Sequence, residues 1–345
     1  MSTQPSNTQT PSRSDQRVHT PDERVHSLTE LDKPSWLGVL RRSLRGFKTD
    51  NLSDWAAALT YRGVLCLAPG LLILVAILGL LGKSTTDTLL ANVGDLAPSG
   101  VRSVLEQVVH NVQSSKSAGF AGVIGLVIAV WSASSYVAAF MRASNAIYEV
   151  GEGRPVWKTV PVRLGVTLIM LVLLVISAAI VVFSGPLADK LGQAIGVGHT
   201  AVTVFGIVKW PVLIVIVSLM LAILYYACPN VKQSGVQWIS PGGVLAVIIW
   251  IVVSGLFAVY VANFGSYNKT YGTLASVVVF MVWLWLTNLA ILLGAEFNAE
   301  LQHARAIKSG APEDSGSFAE PRDTRKLDDE ATAQATALSP KQTAR

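Results

Sequence analysis

The chain has 345 residues, 51% of them hydrophobic and only 14% charged, with a formal net charge of +5. Soluble domains carry roughly 25% charged residues, and here most charges lie near the two ends, so a water-soluble globule is excluded and a membrane protein is indicated.

In chain order, residues 1–35 are rich in Ser, Thr, Gln, Pro and charge and lack an apolar core, which predicts a disordered tail rather than a cleavable signal peptide. The stretch WLGVLRRSLRGF follows. It places Trp36, Leu37, Leu40, Leu44 and Phe47 on one helical face and Arg41, Arg42 and Arg45 largely on the other, the pattern of an interfacial helix. Apolar runs near 57–82, 118–142, 162–186, 205–228, 242–263 and 273–297 then each approach the ~20 residues that span hydrocarbon. Such runs do not alternate as barrel strands do, so the fold class is all-α, a polytopic protein with six transmembrane helices over 36–307. Residues 308–345, with Pro, Gly and mixed charge, predict a second disordered tail.

Cations set the orientation. Arg41, Arg42, Arg45 and Lys48 precede span 1 and Arg142, Arg154, Lys158 and Arg163 flank the 2–3 connection, whereas the 3–4 and 5–6 connections carry only Lys190 and Lys269. Both termini are expected in the cytoplasm. In the outer 1–2 connection, Pro98-Ser99 starts a pattern of Val101, Val104, Leu105, Val108, Val109 and Val112 that predicts an amphipathic helix, either a cap on the bundle or a lid over a cavity.

Polar residues inside apolar spans are the informative ones. Arg62 lies within span 1, where it either snorkels to the headgroups or pairs with an acid in the bundle. Pro69-Gly70 follows and bends or breaks the helix. Span 2 carries a small-residue face of Gly119, Gly122, Gly125, Ala129, Ser132 and Ala133 for close helix packing, and ends on Arg142 and Asn145. Trp131, Trp250, Trp283 and Trp285 fall inside spans, where each indole needs an acceptor, and Asn288 and the mid-span serines are candidates. Cys66 and Cys228 read as small buried hydrophobes rather than an oxidised pair. In span 6, Glu296 and Glu300 stand one helical turn apart with Asn298 between them, at the depth expected for Arg62 and Arg142. Opposite charges at one depth predict an ion-pair cluster pinning spans 1, 2 and 6, or a cluster that also touches an anionic or zwitterionic substrate.

The stretch from Pro241 to Leu301, containing YNKTYG and LGAEFNAEL, together with AAALTYRGVLCLAPGLLIL and NAIYEVGEGRPVW, resembles the YihY/virulence factor BrkB family of bacterial inner-membrane proteins over about 40–300. The resemblance implies six helices in the bacterial cytoplasmic membrane. It singles out Pro69, Tyr267, Tyr271, Gly272, Gly294, Glu296, Asn298 and Glu300, with Asn268 and Lys269 inside the same hairpin motif. Arg62 departs from the family pattern, which has an aromatic or small residue there. Members have been labelled ribonuclease BN and virulence or serum-resistance factors, with lipid transport a newer suggestion.

The residues bear on those labels. His19, His26, His110, His199 and His303 are scattered without ligand spacing, and no basic patch with interleaved aromatics marks an RNA surface, so neither a ribonuclease nor a nucleic-acid partner is expected. No phosphate loop or dinucleotide fingerprint is present, and neither metal nor cofactor is called for. The expectation is a non-enzymatic, transporter-like protein handling a lipid or other amphiphile. The alternative is a non-transporting scaffold or partner subunit of an envelope complex. Membrane lipids and envelope proteins are the expected partners.

Overall fold

The computed structural model describes residues 33–80, 118–182, 199–233, 240–263, 268–308 and 319–329. Among the described residues seven long helices form: α1 (Lys33–Thr49), α2 (Leu52–Leu80), α3 (Ala118–Ile147), α4 (Val156–Val182), α5 (His199–Ala227), α6 (Pro241–Asn263) and α7 (Asn268–Lys308). Among the described residues, four of them, α4 to α7, carry segments long and apolar enough to cross a membrane. Helices α2 and α3, of 29 and 30 residues, stand where the first two spans are expected. The expected amphipathic helix at 98–112 lies outside the described residues.

The helices close a ring in chain order. Each of α2 to α6 packs on its successor, and α7 returns to α2 while also touching α3 and α1. The α3–α4 and α6–α7 connections are short enough to hold those pairs as neighbours. The α6–α7 contact is the tightest: a Cβ on Gly242 would come within 2.1 Å of the Gly294 carbonyl oxygen, so two glycines let the backbones meet. At 41 residues α7 is about 60 Å long at ~1.5 Å per residue, twice the ~30 Å hydrocarbon thickness. Its last turns lie at the end of the bundle that bears α1 and the C-terminal segment.

Two turns at that end rest on left-handed residues. Asn51 (φ 51°) joins α1 to α2, a conformation asparagine tolerates. Glu149 (φ 53°) ends α3, and the Val150 amide donates back to the Asn145 carbonyl at 2.9 Å, sealing the helix terminus. Helix α1 docks on α7 by a different face from the one its leucines mark. Val39, Ser43 and Gly46 are buried, with Val39 against Phe297 and Leu301, while Leu37, Leu40 and Leu44 remain exposed. The three leucines of the stripe predicted to face the membrane are thus free to do so, while Phe47 of that stripe packs on the main core and small residues beside the leucines make the contact with α7.

Residues 319–329 differ from the expectation of a wholly disordered tail. They pair with the α5–α6 connection through the Lys232 amide to the Glu320 carbonyl and the Arg322 amide to the Asn230 carbonyl, both at 2.9 Å, and end in a helical turn. Ala319 is buried in the main core, and Gly153 leaves no room for a Cβ against the Asp323 carbonyl. The cause is backbone pairing plus one small side chain, which composition does not register.

Candidate functional site

Polar side chains at the terminus-bearing end sort into three groups. The first is a clamp on the α3–α4 hairpin. Arg154, 4% exposed, holds Glu152 with two hydrogen bonds of 2.7 Å and donates to the carbonyls of Ala227 and Cys228. Asn145 donates to the same carboxylate at 2.9 Å and accepts the Asn230 amide at 2.7 Å. Burial alone would raise the Glu152 pKa, but Arg154 and Asn145 outweigh it and hold the carboxyl below its ordinary value. Asn145, expected near a substrate, is wholly engaged in tying α3 to the α5–α6 connection.

The second group is acidic and lies between α1 and α7. Glu300 accepts Arg42 Nε at 2.6 Å. Glu296, 2% exposed, is pressed against Gly46 and hydrogen-bonded to the Asp50 carboxyl, and its Oε2 is buried without a donor. Two carboxyl groups this close repel unless a proton lies between them. Burial raises the Asp50 pKa, the nearby Glu149 and Glu300 add to the rise, and the Glu296 hydrogen bond acts against it.

The third group is basic. Arg142 on α3 stands within electrostatic range of Arg62 on α2 and Arg163 on α4. Arg163 lies 4.6 Å over the Trp131 ring, and its Nε is buried without an acceptor. Helices α3 and α4 contain no Asp or Glu, and α2 has only Asp54, so the three arginines have no acidic partner among the described residues. The expected cluster of Arg62 and Arg142 with Glu296 and Glu300 therefore does not form. Equal depth is not proximity: α7 turns its glutamates toward α1, and the arginines gather on the α2–α3–α4 side.

The remaining expected residues have structural partners or fall outside the description. Asn288, fully buried, accepts the Tyr136 hydroxyl at 2.7 Å and donates to Thr60 at 3.1 Å, joining α7, α3 and α2. Asn298 accepts the Gly242 amide at 2.9 Å and donates to Ser240 at 3.1 Å, fastening α6 to α7. Trp250, Trp283 and Trp285 find Thr287, Ser254 and the Ser53 carbonyl, not Asn288. Cys66 and Cys228 are free thiols. Helix α2 is helical throughout Leu52–Leu80, so Pro69 does not interrupt it. Tyr267 lies outside the described residues, as do the side chains of Pro69, Asn268, Lys269 and Tyr271. Sequence reasoning missed Asp50, Glu152, Asn230 and the basic role of Arg163; the paired spacing of Glu152 and Arg154 was the one available signal.

Residues 43–317 match the Virulence factor BrkB family. The chain belongs to that family. A BrkB-family relative from Bacillus subtilis (strain 168), named a ribonuclease-like protein, YfkH, is 29% identical over 257 residues, covering 74% of this chain and 92% of its own length. UPF0761 membrane proteins from Rhodospirillum centenum and Ralstonia nicotianae are each 30% identical, over 80% and 81% of this chain. The chain spans only 60% and 62% of those two proteins. No solved structure matches. Among the described residues, no group of three or more His, Cys, Asp or Glu is placed to hold a metal ion.

Proposed function

We propose that this BrkB-family chain is a six-span protein of the bacterial cytoplasmic membrane, with both termini in the cytoplasm, and that it is transporter-like and handles an anionic lipid or similar amphiphile. The observation that carries the reading is the group of Arg62, Arg142 and Arg163, three cations on three adjacent helices with no carboxylate partner among the described residues. On the same helices Tyr61, Leu65, Val127, Ile128 and Trp131 are exposed, an apolar surface suited to acyl chains, with Trp131 directly beneath Arg163. A guanidinium at an apolar surface needs an anion, and a lipid phosphate supplies one. No step of this reading is enzymatic.

The second reading, a scaffold or partner subunit, draws on the mid-bundle hydrogen bonds. Thr60, Tyr136 and Asn288 bond to one another, so these side chains offer no open polar path. The deciding experiment uses purified protein in liposomes, following transbilayer movement of fluorescent phosphatidylglycerol with and without a proton gradient. Movement above that of empty liposomes, lost in an Arg62→Gln/Arg142→Gln/Arg163→Gln variant that still folds, supports transport. Background movement in both supports the scaffold.

A further inference from the structure

A cavity of about 70 Å³, half open to the outside, lies where α5, α6 and α7 meet at the terminus-bearing end. Its wall includes Tyr225, Tyr226, Gln233, Ser240, Asn298 and Arg305. Several of these groups are already engaged. The Tyr225 hydroxyl donates to the Ile291 carbonyl and Gln233 Nε2 donates to the Tyr225 carbonyl, both at 2.7 Å. Asn298 uses both ends of its amide. Ser240 Oγ accepts the Gly243 amide and Asn298 Nδ2, which leaves its own hydrogen to donate.

Arg305 is the exception. Its Nε and Nη2 are buried with no acceptor, and it forms no ion pair among the described residues. A guanidinium does not shed its charge by losing a proton, so burial without an anion is unfavourable and the group calls for an acceptor beyond the described residues. Among the described residues, the wall contains no Asp or Glu. A second guanidinium, Arg322, lies 5.2 Å from the Tyr226 ring, so the surroundings are positive as well as rich in donors.

We infer that this cavity binds a phosphate-class oxyanion through Arg305 and the Ser240 hydroxyl. A guanidinium fork offers paired donors that match oxyanion geometry, and the Ser240 hydroxyl adds a third donor in the same wall. The phosphate belongs either to a free small molecule or to a lipid headgroup, and both present the same oxygens. The assignment does not rest on the transport reading, because the cavity is built by α5, α6 and α7 and the arginine group by α2, α3 and α4.

The test is equilibrium binding to the purified full-length chain at constant ionic strength, with inorganic phosphate and dihexanoyl phosphatidic acid as separate probes and chloride as control. Phosphate should raise the melting temperature saturably where chloride does not. Arg305→Gln should weaken binding roughly ten-fold or more, the loss expected for a charge-assisted contact. Gln302→Phe, which fills the cavity and leaves the guanidinium in place, should weaken it as well, so misfolding of one variant does not decide the outcome. Tighter binding of the short-chain lipid than of inorganic phosphate assigns the site to a headgroup, and the reverse assigns it to a free anion. The inference is overturned if neither probe gives a saturable shift, or if the shift survives unchanged in both variants.

Discussion

The acidic group on α1 and α7 and the basic group on α2, α3 and α4 sit at the same end of one ring of helices, yet they do not neutralise each other. Glu296 leans on Asp50, a second carboxyl, and Arg142 stands near Arg62 and Arg163, two further cations. Where opposite charges do meet, local chain geometry brings them together. Glu152 and Arg154 are two residues apart in one hairpin, and Arg42 reaches Glu300 because α1 docks on α7. Charge at a membrane boundary pairs when a tether or a docking face imposes the contact, and otherwise is left for a proton or an anion from outside.

The largest effect should come from breaking the tethered pair. Arg154→Gln takes the guanidinium from Glu152, leaving it Asn145, and strips two backbone carbonyls of their donor, and should destabilise the protein by about 3 kcal/mol, read as a lower melting temperature in detergent. A change within ~0.5 kcal/mol would show that the hairpin clamp is not a stabilising pair. Arg42→Gln breaks a pair whose arginine is 35% exposed, so solvent screening limits its effect to about 1 kcal/mol or less.

The two kinds of carboxyl also respond oppositely to pH. Glu152 is held below its ordinary value of 4.5, so its contribution is present above pH 4.5 and is lost as pH falls through the lower folded value. Arg154→Gln should remove that acid-side loss. Asp50 is raised above 3.8, so folding favours its protonated form and a penalty sets in as pH rises from 3.8 through the folded value. Asp50→Asn should raise stability at neutral pH and leave it little changed below pH 3.8. The smallest effect belongs to Glu296→Gln. A neutral amide can still donate to Asp50 and strands no arginine, so stability should stay within ~0.5 kcal/mol of the parent. Combined with Arg142→Gln the changes should be additive, since the two side chains belong to separate groups.

Much of the fold was legible in sequence because apolar run length is a one-dimensional signal. The helices at the expected spans follow from it. The site was less legible. Depth along a helix can be counted from Glu296 and Arg142, but the direction each faces depends on which neighbours the ring supplies. The α1 contact escaped notice because Val39, Ser43 and Gly46 are smaller than the leucines beside them. The docked segment at 319–329 escaped it because its hold is mainly backbone pairing around Asn230.

The claim that the arginine group awaits an anionic lipid is tested most directly at Trp131, which lies beneath Arg163 and is 56% exposed. In nanodiscs containing either brominated phosphatidylglycerol or brominated phosphatidylcholine, the Trp131 signal is obtained by subtracting the Trp131→Phe variant. The account predicts stronger quenching by the anionic lipid, falling to the phosphatidylcholine level in Arg142→Gln/Arg163→Gln. Equal quenching by the two lipids in the parent protein would contradict it.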